Sequence, residues 1–201
     1  MTTPAESRSE QDHKPPLNWR TVDIVVAAVI GVAVGLVFWV WSALWNVTTG
    51  LFAFFPPAQA VLYGMWLVPG VLGGLVLRKP GAGVLTSIAA ASLEMALGTG
   101  WGMSVLLSGA TQGLLSELAF LAFRYRRWGM GVAVLAGVAG GISPAIRDNL
   151  TSHITWPLSH QVTYGVIVLI SAGVIAGAGS RLLTTRLAAA GALAPFPSAR
   201  G

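Results

Sequence analysis

Long apolar stretches alternate with short polar breaks along most of the chain. A transmembrane helix needs about 20 consecutive apolar residues, with about 17 as the lower limit. The stretches that approach this length are Val22–Trp45, Pro57–Leu77, Gly83–Leu97, Ser104–Phe123, Met130–Ile146 and Gln161–Leu183. The breaks contain turn-forming sequences such as FFPPAQ, RKPGAG and SPAIRDN. The pattern predicts an all-α integral membrane protein with a six-helix transmembrane domain over residues 21–183.

The composition supports the membrane assignment. Hydrophobic residues make up 54% of the 201 residues and charged residues only 9%, against about 25% charged residues in an average soluble domain. A soluble chain of this length could not bury so much apolar surface. The sequence contains no cysteine, which excludes disulfides and thiol chemistry. It has only 3 histidines, so a histidine-rich metal site is not expected.

Positive charges mark one side of the predicted bundle. Eleven of the 12 Lys and Arg residues lie before the first span, between spans two and three, between spans four and five, or at and beyond the end of span six. The exception is Arg147, which is expected to pair with the adjacent Asp148. Because cytoplasmic loops are enriched in Lys and Arg, both termini are predicted to be cytoplasmic. The net charge of +5 is thus interpreted as a topology signal and not as a sign of nucleic-acid binding.

Both ends of the chain are predicted to be flexible cytoplasmic tails. Residues 1–20 are polar and contain prolines, without the apolar core and small-residue cleavage site of a signal peptide. Residues 184–201 are rich in alanine and proline.

Two carboxylates fall inside predicted spans, where an ionised group costs about 2.5–3.5 kcal/mol or more. Glu94 lies near the outer end of the third span and Gln112 in the outer half of the fourth, so the two can share a cavity that opens outward. Glu94 is therefore a candidate ligand contact. Glu117 lies closer to the cytoplasmic arginines. It is interpreted either as a structural carboxylate, bonded to a neighbouring helix or to Arg124, or as a coupling carboxylate.

Aromatic and amide side chains cluster at the predicted outer ends of the spans. Together with Glu94 and Gln112, the predicted substrate-binding residues are Trp39, Tyr63, Trp66, Trp101, Asn149, His153 and Trp156. Trp45, Gln59 and Tyr164 belong to the same regions. Such a set suits a flat heteroaromatic ligand that stacks on the rings and offers a positive charge or amino groups to Glu94. Each ring could equally be an anchor at the membrane interface.

One face of the first span consists of small residues. Ala27, Gly31 and Gly35 recur every four residues, which allows another helix to approach closely. The pattern is common in membrane helices. It fits a contact within the bundle as well as a contact with a partner subunit.

A catalytic role has little support in the sequence. No metalloprotease or Walker motif occurs, and Ser108 and Ser116 lack a glycine-flanked serine signature. A membrane enzyme acting through Ser108 or His153 is one alternative function. The other is a proton-coupled secondary transporter of a small cationic or heteroaromatic solute, with Glu94 or Glu117 as the proton carrier, although no inverted repeat of spans is evident.

Three segments carry a resemblance to a known family: NWRTVDIVVAAVIGVAVGLVFWVW, LYGMWLVPGVLGGLVLRKPGAGVLTSIAAASLEMALG and SGATQGLLSELAFLAFRYRRW. Over residues 18–183 the chain resembles the YkoE family of substrate-binding (S) components of energy-coupling-factor (ECF) transporters, a branch of the ABC transporters. The resemblance implies a six-helix bundle in the cell membrane with one ligand site near the outer face. It also implies thiamine or its hydroxymethylpyrimidine precursor as the ligand, and transport in place of enzymatic activity.

The same resemblance implies working partners, namely a transmembrane coupling protein and two cytoplasmic ATPases. Because the ATPases use the ATP, no cofactor is expected in this chain. The ligand would be captured from outside and released inward by rotation of the subunit. The face formed by Ala27, Gly31 and Gly35 matches the surface with which S components contact the coupling protein. By analogy with S components for thiamine, an acidic residue and stacking aromatics carry recognition, and Glu94 is assigned that role from its position.

Overall fold

The computed structural model describes residues 18–200, which form a bundle of six helices followed by a short helical turn at Pro197–Arg200. The helices are α1 (Thr21–Thr48), α2 (Pro56–Leu77), α3 (Ala82–Ala96), α4 (Ser104–Ala122), α5 (Met130–Thr151) and α6 (Leu158–Ala189). Five of them are long and apolar enough to cross a membrane, and α3 is shorter, at 15 residues. The predicted all-α fold with six helices is therefore confirmed.

Two helices contain irregular segments that pack against each other. The first half of α2, Pro56–Leu67, is a 3₁₀ helix, and Ala172–Gly179 within α6 is a π-helix. Runs of 3₁₀ helix longer than three or four residues are uncommon. Ser171 joins the two segments, because its hydroxyl accepts a hydrogen bond from the Gly64 amide (2.9 Å) and donates one to the Val61 carbonyl (2.6 Å). This contact fixes the part of α2 that carries Tyr63 and Trp66.

The small face of α1 lies inside the bundle. Ala27, Gly31 and Gly35 are buried, and α1 packs most extensively against α3. A Cβ atom on Gly35 would come within 2.8 Å of the Ala90 carbonyl oxygen, so only glycine allows the observed approach of the two helices. These three residues thus lie on the face of α1 that packs inside the bundle, and their predicted contact with a partner subunit stays a prediction. The opposite face of α1, with residues such as Val29, is exposed.

The second half of α2 forms the centre of the bundle. Its side chains are almost all buried. The main apolar core joins it to α4, α5 and α6 through Leu67, Val71, Leu75, Phe120, Val132, Ala133, Ala136, Ala172 and Ala176. One end of the bundle holds Trp19, Leu193 and Phe196, and this core lies between them and the outer ends of the helices.

The chain after residue 183 is packed against the bundle. Helix α6 continues to Ala189, beyond the predicted end of the domain. Leu193 and Phe196 are buried in an apolar cluster with residues of α1 and α2, and the Ser198 hydroxyl donates to the Val76 carbonyl at 2.9 Å. Described residues within the predicted tail over residues 184–201 thus contact the bundle, and the flexibility of the segment stays a prediction. Of the expected tail over residues 1–20, residues 1–17 lie outside the described residues, while the Trp19 indole donates to the Pro80 carbonyl at 3.1 Å.

Glu117 of α4 forms hydrogen bonds with the α2–α3 loop and the start of α3. Its Oε1 accepts hydrogen bonds from the Gly81 amide (2.9 Å) and from the Tyr125 hydroxyl (2.7 Å), and its Oε2 accepts one from the Gly83 amide (2.8 Å). Backbone amides at the start of a helix have no partner within it, so Glu117 satisfies two of those of α3. These contacts support the structural interpretation of Glu117. Of the two predicted partners, a neighbouring helix or Arg124, the structure shows the first, and Tyr125 adds a side-chain bond.

Candidate functional site

A cavity of about 690 Å³ lies at the end of the bundle opposite Trp19 and Phe196. All six helices or the loops next to them contribute to its lining. Ligand pockets in proteins typically measure about 300–1,000 Å³ and are mainly apolar with a few polar groups. The size and the lining of this cavity therefore suit a small organic molecule.

Glu94 is the carboxylate at the α3 side of the cavity. It is completely buried, with 0% of its surface exposed. Its Oε1 accepts a hydrogen bond from the Ser42 hydroxyl of α1 (2.7 Å) and a long one from the Thr99 hydroxyl (3.5 Å). Among the described residues, Oε2 has no hydrogen-bond partner with suitable geometry, although the Trp66 side chain lies near the carboxylate. One carboxylate oxygen is thus positioned to accept a hydrogen bond from a ligand.

A first aromatic wall surrounds Glu94. Trp45, Tyr63 and Trp66 contact one another, with ring centroids 5.4 Å apart for Trp45 and Trp66, 6.1 Å for Trp45 and Tyr63, and 5.5 Å for Tyr63 and Trp66. Their tilted and edge-on arrangements are those that aromatic pairs prefer. Trp45 comes from the end of α1, and the other two from the 3₁₀ segment of α2, so the irregular half of α2 positions this wall.

A second aromatic group lies in the α5–α6 region. The His153 ring stacks on Trp156 with centroids 3.8 Å apart and an angle of 9° between the planes, and its centroid lies 4.5 Å from that of Tyr164. Burial lowers the pKa of His153 below its usual value, while the negative charge of Asp148 acts in the opposite direction. The stacked ring therefore tends to be neutral at pH 7. Its Nδ1 has no hydrogen-bond partner among the described residues.

Arg147 and Asp148 form an ion pair in the same cavity. Asp148 Oδ1 accepts from Arg147 Nε (3.1 Å) and Nη2 (2.9 Å), and Oδ2 accepts from the Tyr164 hydroxyl (2.7 Å). Arg147 also donates through Nη1 to Ser108 and through Nη2 to Tyr63, the latter at 3.5 Å. The pair on α5 is thus bonded to α4, α2 and α6. The expected pairing of Arg147 with Asp148 is confirmed.

Comparisons with known proteins agree with this architecture. The family model described as "ABC-type cobalt transport system, permease component" matches residues 22–143. The putative HMP/thiamine permease protein YkoE of Bacillus subtilis (strain 168) is 32% identical over 177 residues, which is 88% of each chain. A crystal structure of an S-component of an ECF transporter matches with a TM-score of 0.86 and 30% identity, covering 91% of this chain and 92% of that chain.

The chain is an S-component of the ECF transporter family. The resemblance inferred from the sequence is confirmed. This S-component is a multi-pass membrane protein that serves transport, and it is not an enzyme. Membership of the family also implies that the S-component works with the partners of an ECF module.

Most of the residues predicted to bind the substrate line the cavity of this S-component. They are Glu94, Tyr63, Trp66, Trp101, Gln112, His153 and Trp156. Gln112 is buried, with 4% of its surface exposed, whereas Trp101 is half-exposed in the α3–α4 loop. The structure thus brings these seven residues together in one place. Their contribution to binding stays a prediction.

Two predicted site residues lie outside the lining of the cavity. Trp39 is half-exposed on the outer face of α1, because it follows Phe38, which is buried and does line the cavity. One helical position rotates a side chain by about 100°. The amide nitrogen of Asn149 is occupied by the carbonyls of Ala145 (2.9 Å) and Gln161 (3.0 Å), so Asn149 joins α5 to α6. The structure places both residues outside the lining of the cavity, and their contribution to binding stays a prediction.

The sequence analysis missed Phe38 and Ser42 of α1, and it did not place Arg147 and Asp148 in the cavity. A signal for the first two was present. The buried face of α1 runs through Gly31, Gly35, Phe38 and Ser42 at helical spacing, so the small face already marked the side that faces the site.

Proposed function

We propose that this S-component captures thiamine or its hydroxymethylpyrimidine precursor in the cavity and delivers it to the cell interior, while partner ATPases hydrolyse ATP. The observation that carries the proposal is the buried Glu94 carboxylate, with one open oxygen, inside an aromatic-lined cavity. The likeness to the Bacillus subtilis protein named as a putative HMP/thiamine permease supports the choice of ligand.

The chemistry of the two compounds matches the lining. Both contain an aminopyrimidine, a flat ring whose amino group donates hydrogen bonds. A hydrogen bond to an ionised acceptor is roughly twice as strong as one between neutral groups, so the amino group would bind Glu94 Oε2 well. The ring would stack within the wall of Trp45, Tyr63 and Trp66. In thiamine, the thiazolium cation would gain a further attraction to these aromatic faces.

The proposal includes the orientation and the partners of the subunit. Both termini would lie in the cytoplasm, so the cavity would open outward. The basic residues of the α2–α3 and α4–α5 loops support this orientation, since they lie at the end of the bundle opposite the cavity. The partners would be a transmembrane coupling protein and two cytoplasmic ATPases. No cofactor would be held by this chain.

Ligand binding to the purified subunit tests the proposal. Tryptophan fluorescence would be titrated with thiamine, with hydroxymethylpyrimidine and with the thiazole alcohol alone, for the wild type and for Glu94→Gln. We expect both pyrimidines to bind and the substitution to weaken them at least tenfold, which corresponds to about 1.4 kcal/mol. The thiazole alcohol lacks the amino group, so its weak binding should not respond to the substitution.

Two results would contradict the proposal. The first is the absence of binding by both pyrimidines to a wild-type protein that unfolds cooperatively on heating. The second concerns transport in proteoliposomes: uptake that follows a pH gradient without the ATPase partners would favour a proton-coupled transporter.

A further inference from the structure

The charged groups that line the cavity form two separate clusters. Glu94 is bonded to Ser42 of α1 and Thr99 of the α3–α4 loop. The Arg147–Asp148 pair is bonded to α2, α4 and α6. Among the described lining residues, these three are the only Asp, Glu, Lys or Arg side chains. Two carboxylates and one guanidinium give the lining a formal charge of −1, located at Glu94, while the Arg147–Asp148 pair is neutral.

The neutral pair has little freedom to rearrange. Both oxygens of Asp148 are occupied, and Arg147 donates to three side chains. Asp148 is 9% exposed. If Arg147 turned away to bind an anion, Asp148 would keep only its hydrogen bond from Tyr164. A buried charge that loses its partner is strongly destabilising.

We propose that the Arg147–Asp148 pair selects ligands that carry an uncharged hydroxyl group and rejects their phosphate esters. This inference rests on the proposed function, in which Glu94 binds the pyrimidine. A hydroxyl group can both donate and accept, so it fits beside Ser108, Tyr63 and the guanidinium without breaking the ion pair. A phosphate monoester carries about −1.5 to −2 charges at pH 7 and would enter a lining that is already negative.

The pair thus acts as a charge filter. A lone arginine in this position would attract phosphate, because guanidinium groups bind phosphate oxygens in a bidentate manner. The carboxylate of Asp148 cancels that attraction while it holds the guanidinium in place. The filter would confine uptake to the free alcohols and would leave phosphorylation of the ligand to a kinase-type reaction after transport.

Substitutions that change the charge of the pair in opposite directions test the inference. Dissociation constants for thiamine and thiamine monophosphate would be measured by calorimetry with the purified subunit at one fixed salt concentration. For the wild type we expect the ester to bind at least tenfold more weakly. Asp148→Asn should lower the ratio of the thiamine monophosphate dissociation constant to the thiamine dissociation constant at least fivefold, because the pair becomes positive. Arg147→Gln should increase it, because the pair becomes negative.

Tyr164→Phe is the matched control, since it removes one hydrogen bond of Asp148 without changing the charge. Its ratio should stay within twofold of the wild-type ratio. The inference is overturned by a wild-type ratio below threefold, a result that needs no variant to fold. It is also overturned if Asp148→Asn or Arg147→Gln still binds thiamine and has the wild-type ratio. If neither thiamine nor hydroxymethylpyrimidine bound the wild type, the proposed function would fail, and this inference with it.

Discussion

The Ser42 hydroxyl on α1 donates a hydrogen bond of 2.7 Å to Glu94 on α3. The bond is buried and joins residues that are 52 positions apart in the sequence. It directs Oε1 toward α1, which leaves Oε2 for the ligand. Ser42 is thus a positioning residue for the carboxylate that we propose as the main ligand contact.

Replacing Ser42 with alanine should weaken ligand binding. A hydrogen bond to a charged group contributes about 1.5–3 kcal/mol, and part of it is recovered when the carboxylate reorients. We therefore expect a loss of about 1–2 kcal/mol, which is a factor of roughly 5–30. The measurement is the thiamine dissociation constant. Thr48→Val is the control, because among the described residues Thr48 bonds only to carbonyls of its own helix. Equal affinities of Ser42→Ala and the wild type would contradict the role of Ser42.

Fluorescence can separate tryptophans of the cavity from those on the outer surface. Trp66 lines the cavity, whereas Trp39 is half-exposed outside it. Trp66→Phe should remove a large share of the ligand-induced quenching and weaken binding by about 0.5–1.5 kcal/mol, the usual contribution of an aromatic pair. Trp39→Phe should leave the affinity and the quenching unchanged. A loss of affinity in Trp39→Phe alone would support the prediction that Trp39 contacts the ligand.

The number and approximate positions of the helices could be predicted because hydropathy is a local property of the sequence. The site was harder to predict because it depends on helix ends and faces. The predicted fifth span ended at Ile146, which placed Arg147 and Asp148 in a loop. In the structure α5 continues to Thr151, and the pair is directed into the cavity. Hydropathy underestimates the length of a helix that ends in a polar site.

The irregular half of α2 has a similar explanation. Prolines at 56 and 57 mark the start of the helix, but the 3₁₀ geometry up to Leu67 depends on contacts with Ser171 that are distant in sequence. Sequence analysis could therefore name Tyr63 and Trp66 as candidates without showing how they are oriented. For Trp39 the problem was simpler: two adjacent aromatic positions of one helix cannot both face the site, and packing selected Phe38.

The stability of the folded subunit should depend on pH because His153 takes up a proton more readily when the chain is unfolded. Its pKa in the folded state is lowered by burial, so the unfolded state binds more protons as the pH falls below about 6.5, the ordinary value. Stability should then decrease as the pH is lowered from 7.5 toward 5.5. Thermal unfolding without ligand measures this, with His153→Gln expected to show a smaller decrease. An identical decrease in His153→Gln and the wild type would refute the assignment.

A substitution at Gly31 can distinguish packing within the subunit from contact with a partner subunit. A side chain at this position would collide with Ala89 of α3. Gly31→Ala should therefore lower the free energy of unfolding of the isolated subunit by about 1–3 kcal/mol, as overpacking does. Val29→Leu on the exposed face of α1 is the control and should have little effect. A Gly31→Ala variant of normal stability that fails to assemble with a coupling protein would support the original partner-interface prediction.

Replacing Glu117 with glutamine tests whether this carboxylate within a membrane helix has a structural role or a role in transport. It accepts three hydrogen bonds, from the amides of Gly81 and Gly83 and from Tyr125. Burial and the bond to Glu117 raise the pKa of Tyr125 above its usual value, so the phenol stays protonated and continues to donate. Glu117→Gln should destabilise the subunit by about 2–4 kcal/mol, because the amide group presents a donor to a backbone donor.

Tyr125→Phe is the matched variant at the same carboxylate. It removes one hydrogen bond and should cost about 1 kcal/mol. Thermal unfolding in detergent measures both losses, and thiamine affinity, determined below the unfolding temperature, should stay at the wild-type value because Glu117 is not among the residues that line the cavity. A stable Glu117→Gln variant that binds ligand but no longer transports it would instead show that this carboxylate takes part in coupling.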